Sequence, residues 1–143
     1  MRVLFDTSSF VKRFVEEVGS EEADNTCQNA TELGLSIICF PEIISALSRK
    51  LREKNITKED YLELKFEISK DIEDADIINI TPTVLEKVIL LLEENTLRSL
   101  DAIHIASALE WEAELFVSSD KRQVLAAKNA GLNVKFIQGM QAK

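Results

Sequence analysis

The sequence predicts an α/β domain built on a central parallel sheet, and two observations carry that prediction. Short β-like apolar runs alternate with longer helical ones along the whole chain. Only four Gly and two Pro occur in 143 residues, too few turn residues for a loop-rich all-β design. The length suits one domain over residues 1–143 with a substantial core, and 45% apolar residues mark a globular chain.

Arg2 to Phe5 reads as the first strand, and Ser8 to Val15 as a short helix. Gly19 and Ser20 break the chain, and Ser20, Glu21 and Glu22 open a polar helix to about Glu32, with Gly34 as its stop. Leu35 to Phe40, apolar except for Ser36, reads as a strand buried in a parallel sheet. Pro41 suits the first position of the next helix, which carries Ile43, Ile44, Leu47 and Leu51 on one face through Lys54. Thr57 and Asp60 form a capping pair for a helix through about Asp74. Ile77 to Ile80 is the third strand. Thr81 and Pro82 start a helix whose Val84, Leu85, Val88, Leu91 and Leu92 read as core. Ser99 caps a helix through about Glu112, and Leu115 to Ser118 is the fourth strand. Lys121 to Ala130 is a helix stopped by Gly131, and Val134 to Ile137 is the fifth strand.

Composition excludes several chemistries. Two cysteines make no disulfide framework, and with the one histidine they are too few soft ligands for a closed zinc site. Cys39, in an apolar run, reads as a small hydrophobe. No apolar stretch approaches the roughly 20 residues needed to cross a bilayer. The opening MRVLFDTSS turns polar too soon for a signal peptide, so a cytoplasmic protein without a membrane partner is expected. The net charge of −8 counts against non-specific nucleic-acid binding, so any basic path must be local.

Four carboxylates stand where hydrophobic runs stop: Asp6 after VLF, Glu42 after IICFP, Asp101 at the head of DAIHIASAL, and Asp120 after LFVSS. In a parallel sheet these junctions share one rim, where ligands bind. Converging carboxylates call for a hard cation such as Mg²⁺ or Mn²⁺. Helix starts also favour acids through capping and the helix dipole, which is a sufficient reason for Glu42, Asp101 or Asp120 taken singly. Asp6 follows a strand and precedes Thr7, Ser8 and Ser9, hydroxyls suited to orient a carboxylate; it is also a candidate N-cap. The helix from Asp101 is apolar nearly all round, with its polar residues Asp101, His104 and Ser107 on one side. His104 sits at a spacing found in metal-binding helices, although a packed, hydrogen-bonded histidine is the commoner outcome.

The segments VLFDTSSFVKRFVEE, PEIISAL, LRSLDAIHIASAL and VSSDKRQ, in this order and spacing, resemble a PIN domain of the VapC toxin-ribonuclease type. The resemblance implies a three-layer α/β/α sandwich around a parallel sheet. It implies an endoribonuclease dependent on Mg²⁺ or Mn²⁺ that leaves a 5′-phosphate and a 3′-hydroxyl. Asp6, Glu42 and Asp101 match the three core acids and Asp120 the more variable fourth. Thr7 or Ser8 matches the hydroxyl beside the first acid, and Ser119 the hydroxyl before the last. A cognate antitoxin and a homodimer are the implied partners besides RNA.

Of the basic residues near the proposed rim, Arg98, Lys121 and Arg122 flank Asp101 and Asp120 and are the candidate phosphate contacts; Lys12, Arg13, Arg49, Lys50 and Arg52 read mainly as solvated charges. The expected reaction is hydrolysis by water activated on the metal, whose pKa falls from 15.7 towards about 7. Glu42 or Asp101 would position the water or take its proton. One rival is a non-catalytic binding module, which predicts no cleavage and a large stability loss on mutating Asp6 or Asp101. A catalytic site predicts the reverse. A receiver-like or phosphatase domain is the other rival, and no Lys in the position such a site needs is evident.

Overall fold

The computed structural model describes residues 1–139. Five parallel strands run in the order β3-β2-β1-β4-β5. They are β1 (Arg2–Phe5), β2 (Glu32–Ser36), β3 (Asp76–Ile78), β4 (Leu115–Ser118) and β5 (Val134–Phe136). Between them lie α1 (Thr7–Phe10), which tightens into a 3₁₀ turn over Val11–Arg13, α2 (Ser20–Gln28), α3 (Cys39–Arg52), α4 (Lys58–Glu73), α5 (Pro82–Glu94), α6 (Ser99–Trp111) and α7 (Lys121–Asn129).

Strand alternation sorts the core into two halves. Leu4 and Phe116 point into a cluster with Val84, Val88 and Leu91 of α5, Ile105 of α6 and Ala126 of α7. Val3, Phe5, Leu35 and Val117 point the other way, against Phe10, Ile43 and Leu47 of α3, and Ile68 of α4. The sheet is thus covered on both faces, giving the three-layer α/β/α sandwich. Each packed face buries enough apolar surface to hold strands only three to five residues long.

The second strand differs from the sequence reading. It occupies Glu32–Ser36 rather than Leu35 to Phe40, and α3 begins at Cys39. Both elements bury apolar side chains here, and the one polar residue of the run, Ser36, ends the strand with its hydroxyl accepting from the Ile38 amide. Cys39, Ile43 and Leu47 form the buried stripe of α3 at helical spacing. Pro41 therefore sits third in the helix, where its missing N–H is still one that no turn needs. The polar helix ends at Gln28, not near Glu32. Gly34 is no helix stop: it lies in β2 under Trp111, and a Cβ there would come within 2.7 Å of the indole ring. The first helix is also shorter than Ser8 to Val15, which it divides between an α turn and a 3₁₀ turn.

Two other expectations need adjusting. Leu85 belongs to an outer face of α5, where it stands exposed with Ile89 and Leu90, while Val84, Val88 and Leu91 face the core. Lys12 is buried, donating to Glu17 and to the Val18 carbonyl, and Arg13 pairs with Asp24 and Asp71. Neither is a free surface charge. Cys39 is buried as a small hydrophobe, and burial pushes its thiol up to about 12. Among the described residues no helix is long and apolar enough to cross a membrane.

Candidate active site

Chain order brings the acids together. The chain lays down β1, β2 and β3 in one direction, then returns to place β4 and β5 on the other side of β1. Asp6 follows β1 and Asp120 follows β4, so they flank this switch point at the carboxyl ends of the strands. Phe5 pairs with Leu35 on one side and Val117 on the other, so the three strands end level. Glu42 and Asp101 lie in the first turns of α3 and α6, which cover opposite faces of the sheet.

Asp6 is fully buried and saturated with donors. Its Oδ1 accepts from the Ser9 amide at 3.0 Å and the Ser9 hydroxyl at 2.7 Å. The Ser8 hydroxyl lies 2.9 and 2.8 Å from its two oxygens, and the Ser118 hydroxyl donates to Oδ2 at 2.8 Å. A buried carboxylate survives only with such partners. Asp6 is thus the N-cap of α1 as well as an acid at the rim. Ser118 in turn accepts from the Asp120 amide at 2.9 Å, so one hydroxyl links the first and last acids. Asp120 caps α7 by accepting from the Arg122 amide at 2.8 Å.

Asp101 is less well provided for. Gln123 Nε2 donates to its Oδ1 at 3.1 Å, and Arg98 Nε stands 3.6 Å from Oδ2. Burial, followed by the charge of Asp120, raises its pKa above the usual aspartate value, and the Arg98 guanidinium offsets only part of this. Arg98 is too solvated, its side chain 82% exposed, to neutralise the pair well.

Glu42 meets the opposite treatment. Its Oε1 accepts from the Thr7 hydroxyl at 2.6 Å and lies 2.6 Å from His104 Nε2. Burial pushes this carboxyl up, but the hydrogen bonds from His104 and Thr7 and the charges of His104 and Arg98 outweigh it and hold the pKa below its ordinary value. Among the described residues no hydrogen bond reaches Oε2.

The PIN domain family model matches residues 3–129. The chain belongs to the PIN domain family. Two curated relatives, ribonucleases VapC45 and VapC49 of Mycobacterium tuberculosis, are each 31% identical to it over 111 residues, covering 75% of this chain and 74% of theirs. A solved toxin–antitoxin complex from Klebsiella pneumoniae contains a chain that superposes with a TM-score of 0.71 at 19% identity, covering 96% of this PIN domain and 99% of that chain.

Not every residue in this PIN domain stands where the sequence placed it. The four acids share the rim, yet among the described residues no three His, Cys, Asp or Glu side chains already form a metal cage. They fall instead into a linked Asp6–Asp120 pair, an Asp101 coupled to Asp120 by charge, and a Glu42 tied to His104. Thr7 serves Glu42 and Ser8 serves Asp6. Ser119 contributes its amide to Ser8, while its buried hydroxyl has no partner among the described residues; the hydroxyl on Asp6 from that segment is Ser118. Pairing register was the available signal, since Asp6 continues the Leu4–Phe116 and Phe5–Val117 ladder to lie beside Ser118. Gln123 was also missed, although it sits one helical turn after Asp120 and is buried. Lys121 and Arg122 are exposed and make no ion pair among the described residues.

Proposed function

We propose that this PIN domain is a divalent-metal-dependent endoribonuclease of the VapC type, the toxin of a toxin–antitoxin pair. The observation that supports the metal most strongly is the state of Asp101, a partly buried carboxyl facing the charge of Asp120, to which Gln123 donates one neutral hydrogen bond and Arg98 only a solvated guanidinium. A cation fits this deficit. The donors are all hard oxygens, and Mg²⁺ commonly takes one or two carboxylates, completing its shell with water and substrate phosphate. The lack of a closed three-carboxylate cage is compatible with that habit.

Asp101 and Asp120 would hold Mg²⁺ or Mn²⁺, with Asp6 behind them and Glu42 reaching it directly or through water. When bound, the ion supplies charge stabilisation to the phosphodiester and acidity to the attacking water. The chain's own residues do the rest. Serine hydroxyls hold Asp6 immobile. Glu42, ionised and fixed through Oε1, presents Oε2 to orient the attacking water. Arg98, Lys121 and Arg122 stand outside the acids to receive RNA phosphates. A cognate antitoxin would block the rim with a cationic side chain against these carboxylates. Self-association would use an exposed apolar face such as that of Leu85, Ile89 and Leu90.

The test uses structured and unstructured RNAs incubated with purified protein and Mn²⁺ or Mg²⁺, with and without chelator. Cleavage that stops in chelator and returns with excess metal is expected. Cleavage that persists in chelator overturns the reading.

A further inference from the structure

His104 is the buried titratable group beside the acids that the reaction leaves without a task. Its side chain is 2% exposed, and it projects from α6 across the end of the sheet to an acid on α3. The hydrogen-bond pattern decides where its proton lies. Glu42 Oε1 only accepts, and the single proton of Thr7 is committed to that same oxygen at 2.6 Å. Thr7 Oγ1, 3.2 Å from His104 Nε2, can therefore only accept from the ring. Both neighbours of Nε2 are acceptors, so Nε2 carries a proton and shares it between them. It has no lone pair to offer a metal. Nδ1 is buried from solvent and makes no hydrogen bond among the described residues. His104 is thus no ligand, despite its spacing from Asp101.

We propose that His104 is a positioning residue that, with Thr7, locks Glu42 by occupying Oε1, so that Glu42 offers the cation and its water only Oε2. Two donors on one carboxylate oxygen fix the rotamer of a long side chain that is otherwise free to swing in and out of the rim. The bond also joins α6 to α3 over the sheet, so the placement of Glu42 is set by the packed interior rather than by its own exposed turn. This inference rests on the metal reading above.

The experiment measures Mn²⁺ affinity by electron paramagnetic resonance, alongside the cleavage rate at saturating Mn²⁺, for His104→Leu, His104→Gln, Glu42→Gln and the double variant His104→Leu/Glu42→Gln. Loss of an outer partner typically weakens a metal site about 10- to 100-fold, and His104→Leu should fall about 10-fold in Mn²⁺ affinity. His104→Gln, whose amide can replace the Nε2 donor, should remain within about three-fold of wild type. In the Glu42→Gln background His104→Leu should add less than about two-fold, because it acts only through the carboxylate already lost. Should His104→Leu not fold, Thr7→Val removes the other donor to Oε1 and should weaken Mn²⁺ in the same direction. Unchanged affinity in His104→Leu, or an equal loss with and without the Glu42 carboxylate, overturns the role of His104 alone. A wild-type protein that binds no Mn²⁺ overturns the metal reading and this inference with it.

Discussion

Removing the Asp6 carboxylate should destabilise the fold even though Asp6 belongs to the proposed active site. Asp6→Ala deletes the N-cap of α1, a loss of about 1 kcal/mol. It also leaves the buried Ser118 hydroxyl without an acceptor, and an orphaned buried donor costs about 1–3 kcal/mol. The Ser9 hydroxyl is spared, because the Val117 carbonyl lies 2.9 Å away. Ser8 is only partly buried and can turn to water. The sum is about 3 kcal/mol, or a fall of roughly 10 °C in Tm for a chain of this size. Asp101→Asn should behave oppositely: it keeps an acceptor for Gln123, removes the repulsion with Asp120, and should leave the apo protein as stable as wild type or more so. Urea unfolding followed by Trp111 fluorescence measures both. An Asp6→Ala variant as stable as wild type, or an Asp101→Asn variant equally destabilised, would refute this assignment of burial and charge. The contrast also corrects the criterion drawn from sequence, under which a stability loss at Asp6 counted against catalysis; a saturated buried carboxylate can be both cap and ligand.

Further predictions concern packing, pH and RNA. Gly34→Ala should cost about 1–3 kcal/mol by overpacking against Trp111, and the indole emission should shift as the ring moves; an unchanged Tm and spectrum contradict the contact. Asp101 holds its proton more tightly folded than unfolded, so its contribution favours the fold at low pH and is lost as pH rises from the ordinary 3.8 through the raised value. Glu42 has the opposite sign: its stabilisation is present above the ordinary 4.5 and is lost as pH falls through the lowered value. Urea titrations of wild type, Asp101→Asn and Glu42→Gln across this range should separate the two slopes, and identical slopes in all three contradict both. Substituting Arg98, Lys121 or Arg122 by Ala should raise KM for RNA with little change in kcat and reduce the salt slope of binding by about 1 per lost phosphate contact. A salt slope unchanged in all three places the RNA path elsewhere.

What could be read from sequence was set by how local each signal is. The strands of β1 and β4 are bounded by polar residues, and their ends, with Asp6 and Asp120, stand out in the chain. The boundary between β2 and α3 lies inside Leu35 to Phe40, apolar but for Ser36, where strand and helix bury the same kinds of side chain. Gly34 looked like a helix stop because its real constraint, the Trp111 ring, is remote in sequence. The partnership of His104 with Glu42 spans 62 positions and joins opposite layers of the sandwich, so no spacing rule reports it. Ser118 was closer to legible, since strand register alone places it beside Asp6.

The most direct measurement is the single-turnover cleavage rate of RNA by wild type and by Asp101→Asn, at saturating Mn²⁺ and with native folding verified for both. Removing one charge-bearing member of the acid rim should slow cleavage by about 100-fold or more while leaving Tm unchanged or raised. An Asp101→Asn enzyme that cleaves at the wild-type rate contradicts the acid rim as the catalytic centre.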